Sequence, residues 1–183
     1  MQTHIYFVRH GEVHNPKKIL YERLPRFPLS ENGKAEIEST AEALLNEGIE
    51  IIYASPLLRT RQSAEIIRKK LNLKKIYFSK NILEIKSHLK DRPLAELEAT
   101  LFDLYLSPKN AEGGESMIDV SKRMEKFIKK ITKLHSGKRI AVVSHGDPIM
   151  IAKAQYESLP LVLKSIRTNG AYIKTSGVYL LKI

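Results

Sequence analysis

Ile5-Tyr6-Phe7-Val8, followed at once by Arg9-His10-Gly11-Glu12, is the stretch on which the fold of this chain turns. An apolar run of β-branched and aromatic residues reads as a strand. It delivers an arginine, a histidine and a glycine at its exit. Near the other end, Ile140-Ala141-Val142-Val143 runs in the same way into Ser144-His145-Gly146-Asp147. In open α/β sheets, ligands bind in the crevice outside the carboxyl ends of the strands. Two histidines and an arginine meeting there point to chemistry on an anion.

Outward from these stretches, the hydrophobic period alternates between strand and helix. Further strand-like runs cover 51–54, 76–78 and 178–183, with a weaker one at 171–174. The last of the chain reads as a strand suited to a sheet edge. Residues 31–46 place Ala35, Ile37, Ala41, Leu44 and Leu45 at near-helical spacing. Ser55-Pro56 reads as an N-cap with proline in the first turn, opening a helix over 56–71. Asp147-Pro148 repeats that arrangement, and Ser116 with Asp119 resembles a capping box opening a helix to about residue 134. A short helix over 94–106 leads into the breaker-rich loop 107–114. Such alternation predicts an α/β three-layer sandwich, its mostly parallel central sheet flanked by helices on both faces. Residues 1–183 are expected to form one domain, with 85–113 as a lid or substrate-specificity segment.

Composition narrows the classes. The 183 residues are 43% hydrophobic and 28% charged, with nine glycines, eight prolines and no cysteine. That excludes disulfides, thiol catalysis and thiolate metal sites. No apolar run reaches the roughly 20 residues that span a bilayer. The start moves directly into a strand without a signal-peptide layout, so a cytoplasmic setting is expected. The net charge of +11 gathers in 59–80 and 122–139. Both stretches read as amphipathic helices with the lysines on the polar side, which favours a solvated basic face. The aromatics are not interleaved with the basic residues, so nucleic acid is not an expected partner. A small phosphorylated substrate is, while oligomeric state is not legible.

The chemistry follows from the residue types. An imidazole attacks phosphorus as a nucleophile and splits one difficult displacement into two easier ones. A guanidinium such as Arg9 balances a phosphate dianion with directed hydrogen bonds. Gly11 allows close backbone approach to a ligand. His145 repeats the placement from a second strand, where it can donate to equatorial oxygens as charge redistributes. Arg59, one turn into the helix after Ser55-Pro56, can point back to the sheet's carboxyl edge. The remaining histidines lack metal-ligand spacing, and no P-loop, HExxH, EF-hand or dinucleotide fingerprint occurs. Neither a metal nor a cofactor is expected.

Together these residues resemble the histidine phosphatase superfamily, with its phosphoglycerate-mutase-like fold. The motifs fall in the family's order along almost the whole chain. Arg9-His10-Gly11-Glu12 resembles the nucleophile motif, Ser55-Pro56-Leu57 with Arg59 the second arginine segment, and Leu83-Glu84 the proton-donor position. Gly114-Glu115-Ser116 with Arg123 resembles the late helix start, and Ser144-His145-Gly146-Asp147 the second-histidine motif. The resemblance implies His10 as nucleophile, Arg9, Arg59 and His145 as the phosphate pocket, and Glu84 as proton donor. Asn15, Arg23, Gly11 and Gly146 are the implied substrate-binding positions. Asn15 stands five residues after His10, one short of the family's asparagine, and Glu22 and Arg26 replace glycines around Arg23. The aromatic and glycine residues that often follow the acid are absent from 85–90, so altered substrate selection is expected there.

The function implied is metal-independent hydrolysis of phosphomonoesters through a covalent phosphohistidine on His10. A phosphoglycerate-mutase-type phosphoryl transferase is the main alternative, disfavoured by the lack of long insertions around the site. A catalytically silent phosphate-binding module is a third reading, since fold alone never establishes activity.

Overall fold

The computed structural model describes residues 2–105, 113–167 and 172–183. Five strands, β1 (His4–Arg9), β2 (Ile51–Ala54), β3 (Ile76–Phe78), β4 (Arg139–Ser144) and β5 (Val178–Lys182), form one sheet in the order β3-β2-β4-β1-β5. β3, β2, β4 and β1 run parallel, and β5 closes the edge antiparallel to β1. The helices are α1 (Glu31–Ala43), α2 (Leu58–Lys70), α3 (Leu94–Glu98), α4 (Met117–Leu134), α5 (Gly146–Tyr156) and α6 (Leu163–Arg167). Among the described residues, no helix is long and apolar enough to cross a membrane.

The central strands are buried on both faces, as their unbroken apolar runs require. Ile5, Phe7, Ile140 and Val142 pack with Met124, Phe127 and Ile128 of α4 and with Ile149 of α5. Their neighbours Tyr6, Val8, Ala141 and Val143 face the other way, onto Ile37 and Ala41 of α1 and Ala64 and Ile67 of α2. Period-two alternation along each strand therefore feeds two separate cores. The three-layer α/β arrangement read from the sequence is the one observed.

Some local readings need correction. α2 starts at Leu58 with Leu57 as an N-cap that offers no side-chain bond. Ser55 is instead drawn into the sheet edge, where its carbonyl accepts from Thr60 Oγ1 and its hydroxyl meets His145 Nε2 at 2.8 Å. Likewise, α5 is capped by His145, and Asp147 lies inside its first turn with its carboxylate held by side chains. Tertiary partners override local capping at both positions. The helix over 94–106 stops at Glu98, and Leu101 and Phe102 then turn through φ of 51° and 54°. Residues 172–174 are not strand. Most of the loop 107–114 lies outside the described residues. Ser116 does form a capping box with Asp119 at the head of α4.

Candidate active site

Strand order places the site. β1 and β4 are hydrogen-bonded neighbours in parallel register, with Arg9 opposite Ser144, so His10 and His145 emerge side by side one residue later. Their rings meet edge to face, 5.3 Å apart. β2 flanks β4 on its other side, and its exit at Ser55 turns into α2, which carries Arg59 back over the same edge.

Hydrogen bonds fix the ring nitrogens. His10 is fully enclosed, and its Nδ1 lies 2.8 Å from the Gly11 carbonyl, which can only accept. The proton therefore sits on Nδ1, and Nε2 keeps its lone pair. That lone pair accepts from Arg59 Nε at 3.1 Å. Arg59 Nη2 donates to His145 Nδ1 at 3.1 Å and to the Glu22 carbonyl at 2.6 Å. The His145 proton then lies on Nε2, facing Ser55. Burial first, and the Arg59 guanidinium second, hold both imidazoles well below their usual pKa. Both rings are neutral, and His10 presents an unprotonated distal nitrogen.

Arg59 is 1% exposed and stacks over Tyr21, its charge centre 4.8 Å from the ring. Arg9 donates to the Ile173 carbonyl at 2.7 Å and lies 5.1 Å from the Tyr172 ring. Glu84 Oε2 is 3.8 Å from His145 Nδ1. Burial pushes the Glu84 carboxyl up to about 7, with the Asp147 charge adding to the effect. A carboxyl with that pKa can both hold and release a proton near neutrality.

His10, Glu84 and His145 each offer one ligand atom, all within 4.8 Å of one another. The guanidinium of Arg59 donates to both imidazole lone pairs at the heart of this group, so a dication would meet a resident cation. The donor set suits an anion.

The implied substrate-binding positions fare differently. Arg23 donates from Nε to the Glu84 carbonyl at 2.7 Å and pairs with Glu115 at 2.6 Å. Arg123 pairs with Glu115 too and donates to the carbonyls of Asn81, Leu83 and Glu84. The two arginines and Glu115 thus clamp the backbone that carries Glu84. Asn15 spends its amide inside its own loop, on the backbone of Ile19. Gly11 and Gly146 are needed for packing: a Cβ on Gly11 would collide with the Gly33 backbone, and one on Gly146 with the Tyr172 hydroxyl.

Sequence reasoning missed the group around Asp147. Its carboxylate is 2% exposed and accepts from Tyr105 (2.8 Å), Tyr172 (2.6 Å) and Arg167 Nη2 (2.7 and 2.8 Å). Its place directly after His145-Gly146 was the one available signal. Ser55 was missed as a partner of His145 because its cap reading was locally sufficient.

With this geometry in view, comparison with known proteins gives the class. The sequence profile of the histidine phosphatase superfamily (branch 1) matches residues 5–171. The chain belongs to that superfamily. It is 32% identical over 152 residues to Phosphoserine phosphatase 1 of Hydrogenobacter thermophilus, covering 79% of this chain and 72% of that one. It is 27% identical over 157 residues to a protein of Serratia proteamaculans named Probable phosphoglycerate mutase GpmB, covering 78% and 69%. A mycobacterial glucosyl-3-phosphoglycerate phosphatase shares the fold with a TM-score of 0.82 at 19% identity, over 100% of this chain and 91% of the other.

Proposed function

We propose that this member of the superfamily hydrolyses phosphomonoesters through a phosphohistidine on His10. The observation that carries the proposal is the fixed tautomer of His10: Nδ1 is tied to the Gly11 carbonyl, and Nε2 faces Arg59 and the second histidine. A phosphate dianion is bound by Arg9 and Arg59. Its charge opposes the burial that keeps His145 neutral, so His145 takes up a proton and donates to an equatorial oxygen. His10 Nε2 attacks phosphorus as the ester P–O bond breaks, and Glu84 gives its proton to the leaving oxygen. Water then attacks the phosphohistidine, Glu84 takes the water's proton, and the N–P bond breaks to release inorganic phosphate. Arg23, Arg123 and Glu115 act as positioning residues through the Glu84 backbone.

A phosphoryl mutase would need a cation for a second anionic group on its substrate. Among the described residues, Arg23 on the Glu84 backbone and Arg167 beside Asp147 are both paired with carboxylates. Hydrolysis is therefore the reading we favour over the mutase activity that several relatives' names carry. The test is turnover of an aryl phosphate in chelator, wild type against His10→Ala, with acid-quenched mass spectrometry for phosphorylated His10. Turnover that needs His10 and leaves a trapped phosphohistidine is expected. Equal turnover by His10→Ala would overturn the proposal.

A further inference from the structure

Beside Glu84 opens a cavity of about 360 Å³. Glu84 lines it, and in the proposed reaction Glu84 meets the leaving oxygen, so the cavity is where the alcohol portion of the ester must sit. Its walls are Leu20, Tyr21, Ile85, Leu94, Phe102 and Leu104. Ile85 to Leu104 fall in the stretch read from the sequence as selecting substrate.

Charge in the cavity is already spoken for. The described charged residues that line it are Arg9, Glu22, Glu84, Asp147 and Arg167. Arg167 is held by both oxygens of Asp147, and that carboxylate also accepts from Tyr105 and Tyr172. The Glu22 carboxylate accepts from the backbone and hydroxyl of Ser87. Arg9 belongs to the phosphoryl end, and Glu84 serves as the acid. Among the described residues the lining cations are Arg9, assigned to the phosphoryl group, and Arg167, whose charge Asp147 balances. The buried Nε of each has no hydrogen-bond partner, yet neither brings an unbalanced positive charge to a carboxylate or second phosphate. A charged leaving group there would lose its hydration without gaining a countercharge. An apolar one would be matched on most sides.

We infer that the substrate's alcohol portion is uncharged and largely apolar, an aromatic or branched alkyl alcohol seated between Tyr21, Leu94 and Phe102. This rests on the hydrolase reading above, which fixes the side from which the alcohol leaves.

The experiment compares kcat/KM of the full chain on 2-phenylethyl phosphate, glycerol 3-phosphate and phosphoserine, all esters of unactivated alcohols. The expected preference for the phenylethyl ester is about tenfold or more, the scale set by filling an apolar pocket. Phe102→Ala and Leu94→Ala are each expected to shrink that ratio severalfold. Binding of the same esters to His10→Ala, measured by calorimetry, should follow the same order. Equal or inverted preference in turnover and binding would overturn the apolar assignment while leaving the hydrolase standing. Absence of His10-dependent turnover on every ester, with the apolar order kept in binding, would overturn the hydrolase reading and support the pocket.

Discussion

The two ends of the site are built in opposite ways. The phosphoryl end hangs on the exits of three adjacent parallel strands, where His10, His145 and Ser55 follow directly from sheet register and α2 adds Arg59. The leaving-group end is assembled from the loop at 20–22, the segment 84–104 and the side chains of Asp147, Arg167 and Tyr172. Rigid strand ends place side chains more accurately than loops do. In the proposed reaction the chemistry falls where geometry is fixed by the sheet, and selection falls where loops meet. Substitutions at the two ends should separate accordingly: those at the first end remove turnover on every substrate, and those at the second change which substrates are taken.

The largest effect belongs to the phosphoryl end. His10→Ala is expected to lower kcat at least about a thousandfold on aryl and alkyl phosphates alike, as loss of a nucleophile does elsewhere. Steady-state rates on both ester classes check this. A loss confined to one class would blur the division between the two ends.

Glu84 stands at the junction, and its replacement should show both characters. Glu84→Gln is expected to cost about a hundredfold or more on alkyl phosphates, which need a proton on the departing oxygen, and far less on nitrophenyl phosphate, which does not. Because the carboxyl is pushed up to about 7, alkyl kcat/KM should fall as pH rises through that value, and this limb should vanish in Glu84→Gln. The same shift predicts a stability effect that runs in the same direction with pH. A carboxyl whose folded pKa exceeds its unfolded value holds more protons when folded, so stability drains away as pH rises from about 4 to about 7. Glu84→Gln should therefore raise the melting temperature at pH 8 and leave it nearly unchanged at pH 4. A lower melting temperature at pH 8 would show that the ionised carboxylate is better satisfied than its burial indicates.

At the same junction, Arg23→Ala is expected to lower alkyl phosphate kcat about tenfold with little change in KM, because Arg23 touches the Glu84 backbone and acts through it. Arg23→Lys should not restore the loss, since one ammonium cannot reproduce the paired contacts to the Glu84 carbonyl and Glu115. A rise in KM with kcat intact would instead place Arg23 on the substrate, as the family resemblance implies.

The contrast also explains what was legible beforehand. Arg9, His10 and His145 could be read because the strand, its exit and the chemistry lie within a few consecutive residues. Arg59 needed only one added turn of helix. Glu84 was legible by resemblance alone: nothing local distinguishes it from a solvated carboxylate, and its raised pKa comes from burial that only the fold supplies. Asp147, Tyr105, Arg167 and Tyr172 converge from separate elements, so no window of sequence contains the cluster. The same holds for Arg23, whose partners are Glu84 and Glu115. Unbroken apolar runs alternating along the chain with helical periods predicted strands and layers well, because burial of the central strands on both faces imposes such runs directly.

Two serines with the same local signature define the smallest effects and the sharpest test of this account. Ser55 and Ser116 each read as an N-cap, yet only the Ser116 hydroxyl accepts from its helix, through the backbone N–H of Asp119. Ser116→Ala should cost about 1 kcal/mol of stability, as loss of a cap does, with kcat unchanged. Ser55→Ala removes no cap. It leaves His145 Nε2 buried without its 2.8 Å partner, which should cost about 1–3 kcal/mol and release the ring from its fixed orientation. Its signature is thus a severalfold fall in kcat on every ester, aryl and alkyl alike, beside the stability loss. If Ser55→Ala lost stability with full turnover, the hydroxyl would be structural after all, and the orientation of His145 would have to come from Arg59 alone.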